Sequence, residues 1–364
     1  MRSLRLDLAV LLTAATFGYV APATAVKAAT IGVVAPKSGP YALLGTQVFE
    51  GARAAAEATG DRLVEIDETC NEPGGTAAAK ALLDAKVSIA IGFLCVETLT
   101  SAMPILAGSK IPAITISVRS RILMEDALRN GWPLFRMAPS ESAEADKIAE
   151  AIVSRWKAEP IAFVDDGTIY GRELVSAVRQ KLEPLGITPV FTDTLRPGQE
   201  QQIALVRRLQ KAGATHVLVG ADRNDVAILA RDAASENMPL TVLGGDAMKA
   251  ANRPVALRDG VLAVTQPPYQ TLPVAGQAAA SLKSRGIEPE GGVLPAYAAT
   301  ELASQAASSA GTDPAKLLSA LKAQRFETVV GQIQFDTGHE LADNPYRLLE
   351  WRDNEFLAPA SATE

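Results

Sequence analysis

Two cysteines and two histidines are a thin stock of metal ligands and nucleophiles for 364 residues. Cys70, Cys95, His216 and His339 offer no ligand spacing of the zinc kind, so no metal is expected. The glycines make no G-x-G-x-x-G. The nearest approach to a phosphate loop, residues 32–38, lacks the glycine before Lys37 and is one residue short. Neither a G-x-S-x-G elbow nor an H-E-x-x-H helix is present. No catalytic set and no cofactor are expected. Beyond the N-terminus, no apolar run reaches the roughly 18–20 residues that would cross a bilayer. The formal charge is −6, which argues against nucleic acid and anionic membranes as partners.

The N-terminus has the three parts of a secretory leader. Arg2 and Arg5 precede an apolar stretch over 8–20, and Pro22-Ala23-Thr24-Ala25 offers a small-residue cleavage site. Cleavage is expected after Ala25, with Ala28 or Ala29 as second choices, and a periplasmic location follows. Losing residues 1–25 removes Arg2, Arg5 and Asp7, a net +1, so the mature charge becomes −7. In an oxidising compartment Cys70 and Cys95 are most simply read as one disulfide, with two free buried thiols as the alternative.

Short β-branched runs recur along the chain. They fall at 31–35, 63–67, 88–93, 113–117 and 134–137, then again at 161–164, 189–192, 216–220, 241–244 and 261–265. Helical periodicity separates most of them, as at Ile148, Ile152 and Trp156. Unbroken apolar strands alternating with helices predict α/β architecture with parallel sheets covered on both faces. Two series of five predict two doubly wound lobes. Residues 273–285, 296–310 and 314–324 then read as consecutive helices, and 332–335 and 346–351 as closing strands. In such sheets ligands sit beyond the carboxyl ends of the strands, so the residues that follow each strand are the candidate site.

The ordered set of motifs resembles a known family. Ser38-Gly39-Pro40 and Gly45 follow the first strand, and Cys70 pairs with a Gly92-x-x-Cys95. Asp165…Tyr170-Gly171, Gly244-Gly245-Asp246 and Gly331-x-Ile333-x-Phe335-Asp336-x-x-Gly338 complete it. This resembles the leucine/isoleucine/valine-binding proteins, the type I periplasmic receptors of ABC importers, over essentially the whole mature chain. The resemblance implies two lobes joined by three crossings, near 139–140, 265–268 and 328–331. The first lobe would then be 26–139 plus 268–328, the second 140–267 plus 329–356, with a tail at 357–364. It implies a monomer that is not membrane-embedded, partnered with permease subunits. Cys95 becomes a staple fixing the start of a ligand loop.

The ligand set is implied by the same resemblance. The family's hydroxyl-bearing loop is matched by Val96, Glu97 and Thr98, and its second loop by Ser117, Val118 and Arg119. A first-loop aromatic is matched by Leu44, with Tyr41 nearby. A second-lobe tyrosine is matched by Asp222, Tyr170 is retained, and the ammonium-binding acid is matched by Asp246. Arg119 and Asp246 are expected to face each other across the cleft, holding a ligand carboxylate and a ligand amine. Three functions follow in order: capture of an amino acid, amide or related small carboxylate for an importer; a sensor of the same fold; a secreted α/β hydrolase or transferase.

Overall fold

The computed structural model describes residues 28–311 and 313–359. The expected leader at 1–25 lies outside them. Ala29 is already part of the fold, buried and donating its N–H to Asp61 Oδ1 at 2.7 Å.

The first lobe runs β1 (Thr30–Ala35), α1 (Ala42–Thr59), β2 (Arg62–Asp67), α2 (Glu72–Asp84), β3 (Ile89–Gly92), α3 (Val96–Gly108), β4 (Ala113–Thr115), α4 (Arg121–Arg129) and β5 (Leu134–Arg136). Its sheet is entirely parallel, in the order β2-β1-β3-β4-β5. Ile31, Ile89, Ile91 and Ile114 are fully buried because helices cover both faces.

The second lobe repeats the plan. It runs α5 (Ala143–Arg155), β6 (Ile161–Asp165), α6 (Ile169–Leu182), β7 (Phe191–Thr194), α7 (Ile203–Lys211), β8 (His216–Gly220), α8 (Arg223–Ser235), β9 (Thr241–Gly244) and β10 (Leu262–Thr265). The predicted face of α5 is buried at Ile148, Ile152 and Trp156. The order β7-β6-β8-β9-β10 matches the first lobe strand for strand. Each sheet reverses its winding at one point, β1/β3 and β6/β8, which opens a crevice at those strand ends.

Helices α9 (Gly276–Ser284), α10 (Val293–Ala310) and α11 (Pro314–Ala323) return to the first lobe. The approach of α10 to α1 is backbone to backbone: a Cβ on Gly51 would sit 1.9 Å from the Val293 carbonyl oxygen. β11 (Phe326–Thr328) and β12 (Gly331–Ile333) form a small antiparallel hairpin. β13 (Arg347–Arg352) and β14 (Glu355–Leu357) add antiparallel strands beside β10. The second sheet is therefore mixed at one edge, and β14 reaches into the expected tail.

The third crossing lies further along the chain than 328–331. Val329, Ile333 and Phe335 are buried in the first lobe's core, and Phe335 packs on Phe135 with ring centres 5.0 Å apart. Arg136 N–H donates to the His339 carbonyl oxygen at 2.9 Å. The chain leaves for the second lobe only after Leu341, and the Asn344 amide nitrogen donates to the Ala143 carbonyl at 2.7 Å. Residues 329–341 belong to the first lobe because their apolar face is buried there.

Candidate ligand-binding site

Residues at the carboxyl ends of strands in both lobes, Leu94, Ser117 and Met137 in the first and Thr265 and Gln266 in the second, line one cavity. On the first lobe, Glu68 follows β2 and is 2 % exposed. Its Oε2 accepts the Leu94 N–H at 2.8 Å and its Oε1 the Cys95 N–H at 3.0 Å. Cys70 and Cys95 are joined as a disulfide directly beside it. One buried carboxyl and one covalent bond thus fix the loop that leads into α3. The two sulfurs and the Glu68 carboxyl lie within 4.8 Å of one another, the one metal-like grouping among the described residues. The disulfide occupies both thiols.

Burial pushes the Glu68 carboxyl up to about 7, against the two N–H bonds and the nearby Thr98 hydroxyl, which favour the ion. A folded value above the ordinary one means that the native state holds a proton the unfolded chain releases. Stability contributed by this group is present below about 4.5 and is lost as pH rises through about 7, a change of roughly 3 kcal/mol. Urea melts at pH 5 and pH 8 should therefore diverge between the parent and Glu68→Gln. Parallel pH profiles would show that Glu68 titrates normally.

The expected first-lobe ligands divide. Val96, Glu97 and Thr98 occupy one helical turn, where successive side chains rotate about 100° apart. Thr98 is fully buried, its hydroxyl approaching Glu68 without an aligned hydrogen bond. Val96 packs partly against the core and Glu97 is exposed. Val118 is buried in the same core, with its N–H on Thr115 Oγ1 at 3.0 Å. Thr98 and Val118 are therefore packing residues, contrary to their expected place in the ligand set. Leu44, Ser117 and Arg119 share a cavity of about 1100 Å³ that extends toward the crossings. Tyr41 precedes α1 and is half exposed, outside that cavity.

Arg119 turns to the second lobe. Its Nη2 donates to the Ser140 carbonyl and to the Tyr346 hydroxyl, each at 3.3 Å, and its buried Nε has no partner. It pairs with neither Glu97 nor Asp222. Asp222 is instead the N-cap of α8, its Oδ1 accepting the Asp225 N–H at 3.0 Å.

The second-lobe residues converge on an acid that sequence reasoning did not single out. Glu144, in the first turn of α5, is 5 % exposed. Its Oε1 accepts from the Tyr170 hydroxyl and from Asp246 N–H, both at 2.7 Å. Gly245 makes room for this: a Cβ there would lie 2.2 Å from Glu144 Oε1 and 2.5 Å from the Tyr170 hydroxyl. Asp246 Oδ1 accepts from Thr265 Oγ1 at 2.6 Å and Gln266 N–H at 3.3 Å. Burial raises Glu144, and the Asp246 charge adds to it, against Arg119 and the two hydrogen bonds. Burial likewise pushes Tyr269 up to about 12, with the Asp246 charge behind it. Tyr170 and Tyr346 are raised further, again chiefly by burial. All three phenols stay protonated at neutral pH and can donate.

Arg119, Tyr170 and Asp246 thus gather around Glu144 and Tyr346. Arg119, an apolar wall of Leu44, Val48, Leu94 and Ile116, and Tyr269 line the cavity; Glu144, Asp246 and Tyr170 form a bonded cluster that interacts with Arg119 electrostatically.

A periplasmic binding protein family model matches residues 28–355. The chain belongs to that family. It is a solute-binding protein of the two-lobe kind, and no helix among the described residues is long and apolar enough to cross a membrane. An amino acid binding protein of Pseudomonas aeruginosa is 28% identical over 335 residues, covering 87% of this chain and 88% of its own. A branched-chain amino acid transporter substrate-binding protein from Streptococcus pneumoniae, solved with isoleucine, matches with TM-score 0.59 and 18% identity. The match covers 91% of this chain and 98% of that one. A Rhodopseudomonas palustris ABC-transporter solute-binding protein, solved with p-hydroxybenzoic acid, matches with TM-score 0.63 and 16% identity. It covers 91% of this chain and 95% of that one. At these identities the solved structures bear on the fold alone.

Proposed function

We propose that this chain is the periplasmic receptor of an ABC importer, capturing an amino acid, an amide or a related small carboxylate between its lobes. The observation that carries the reading is Arg119. A first-lobe guanidinium with a buried, unpartnered N–H reaches the Tyr346 hydroxyl and lines a cavity of about 1100 Å³. An arginine fork is the geometry that holds a carboxylate through parallel hydrogen bonds. The apolar wall takes the ligand's body. The leader at 1–25 delivers the protein to the periplasm, and the family supplies the permease subunits as partners. The reading is of a binding protein, in keeping with the periplasmic binding protein family model that matches residues 28–355.

The test is a thermal-shift panel of amino acids, amides, aromatic acids and dicarboxylates. A true ligand at a hundredfold excess over its Kd stabilises by about 2.7 kcal/mol. Stabilisation by uncharged sugars alone, with every carboxylate inert, would overturn the reading.

A further inference from the structure

Glu144 has no place in the ligand set that the family resemblance implies, yet the second-lobe site is built around it. One carboxyl oxygen is committed to the Tyr170 hydroxyl and the Asp246 N–H. The other, Oε2, takes no hydrogen bond among the described residues, and it is not among the buried atoms sealed from solvent. The same is true of Asp246 Oδ2, since Thr265 and Gln266 both use Oδ1. Two acids held to each other through one backbone N–H therefore each keep an oxygen uncommitted, and the Arg119 charge is felt at Glu144.

We propose that Glu144 is a specificity-determining residue of the cleft: with Asp246 it forms a two-carboxyl acceptor that selects carboxylates bearing an amine over the same carboxylates without one. This rests on the small-carboxylate reading above and deepens it. The charges decide the direction. The groups facing Glu144 are Asp246 after β9, Tyr170 on α6, Tyr346 before β13 and Arg119 after β4. The phenols stay neutral. With both acids ionised the site carries one positive and two negative charges. A plain carboxylate adds a third negative charge and favours the protonated form of Glu144. A zwitterion places its carboxylate on Arg119 and its ammonium between the acids, where several N–H donors meet two free oxygens. The ammonium favours the ionised form of a carboxyl that burial and Asp246 otherwise hold toward its protonated form. Binding of the zwitterion therefore leaves Glu144 less protonated than binding of the amine-free analogue does.

The experiment is calorimetry on the secreted protein with probes paired by the amine alone: L-leucine with 4-methylpentanoate, L-phenylalanine with 3-phenylpropanoate, and L-glutamine with glutaramate. Each is run in HEPES and in Tris at the same pH, so that proton release appears as a buffer-dependent enthalpy. The parent should prefer the amine-bearing member of a pair by about tenfold or more and bind it with more proton release than the amine-free member. Glu144→Gln keeps an oxygen for Tyr170 and Asp246 and should lose both the preference and the proton. Glu144→Asp should recover part of each. Unchanged preference and proton release in Glu144→Gln would overturn the proposal. So would a parent that binds the amine-free members equally well or shows no difference in proton release within a pair, a readout that does not depend on the variants folding. Binding of no probe from any pair would bring down the small-carboxylate reading itself, and this proposal with it.

Discussion

Arg119→Ala is expected to weaken binding of the best ligand from the panel by about 2–5 kcal/mol, the usual loss when one partner of a buried charge pair is truncated. The melting temperature of the empty protein should barely move. Within the protein Arg119 makes two long bonds of 3.3 Å and leaves Nε unpaired, so its removal costs the fold little. Within a complex the same guanidinium meets a carboxylate in a space closed off from water. Arg119→Lys keeps the charge and loses the fork, and should recover only part of the affinity. Calorimetry and thermal melts on the same preparations separate the two effects. Equal affinity for parent and Arg119→Ala would make Arg119 a strut between lobes, with the ligand carboxylate held by backbone N–H groups at the helix starts.

The architecture was readable because its strands are buried on both faces. Runs such as 31–35 and 217–220 are continuously apolar, and nothing else in the chain competes with a parallel-sheet reading for them. The edge was less readable. β14 is three residues long and follows a turn in which Asp353 and Asn354 both adopt positive φ, so it carries almost no periodic signal. The third crossing was misplaced because Ile333 and Phe335 announce an apolar face but not which lobe buries it. Only the packing of Phe335 on Phe135 decides that. The site shows the same division. Arg119, Tyr170 and Asp246 sit just after strands, where a ligand must be. Three adjacent residues in one helical turn cannot all face a cleft, and Thr98 is the one turned inward. Glu144 was missed because an acid in the first turn of a helix ordinarily complements the helix dipole. Its contacts with Tyr170 and Asp246 span 26 and 102 residues of sequence, and no local pattern encodes them.

The misplaced crossing carries the second large effect, at Glu340. Arg136, at the end of β5, has a side chain 1% exposed, and its Nη2 lies 2.6 Å from Glu340 Oε1, whose side chain is 28% exposed. The approach is close as an ion pair but not aligned as a hydrogen bond. Arg136 Nη1 donates to the carbonyls of Arg119, at 2.6 Å, and Ser120, at 3.1 Å. One buried guanidinium thus ties the segment entering the third crossing to the backbone that carries Arg119. Glu340→Ala should cost about 3–5 kcal/mol, because it leaves a buried cation without its counter-ion. Arg136→Met should cost less, since the carboxylate it abandons can hydrate, although two carbonyls lose a donor. The double variant should then be more stable than Glu340→Ala alone, the reverse of what independent losses would give. Urea melts of the four proteins at neutral pH measure the cycle. A Glu340→Ala cost below about 1 kcal/mol would place the pair with ordinary surface salt bridges. A strictly additive double variant would mean that Arg136 gains nothing from its counter-ion. The loop of Arg119 would then be held by the two carbonyl bonds alone.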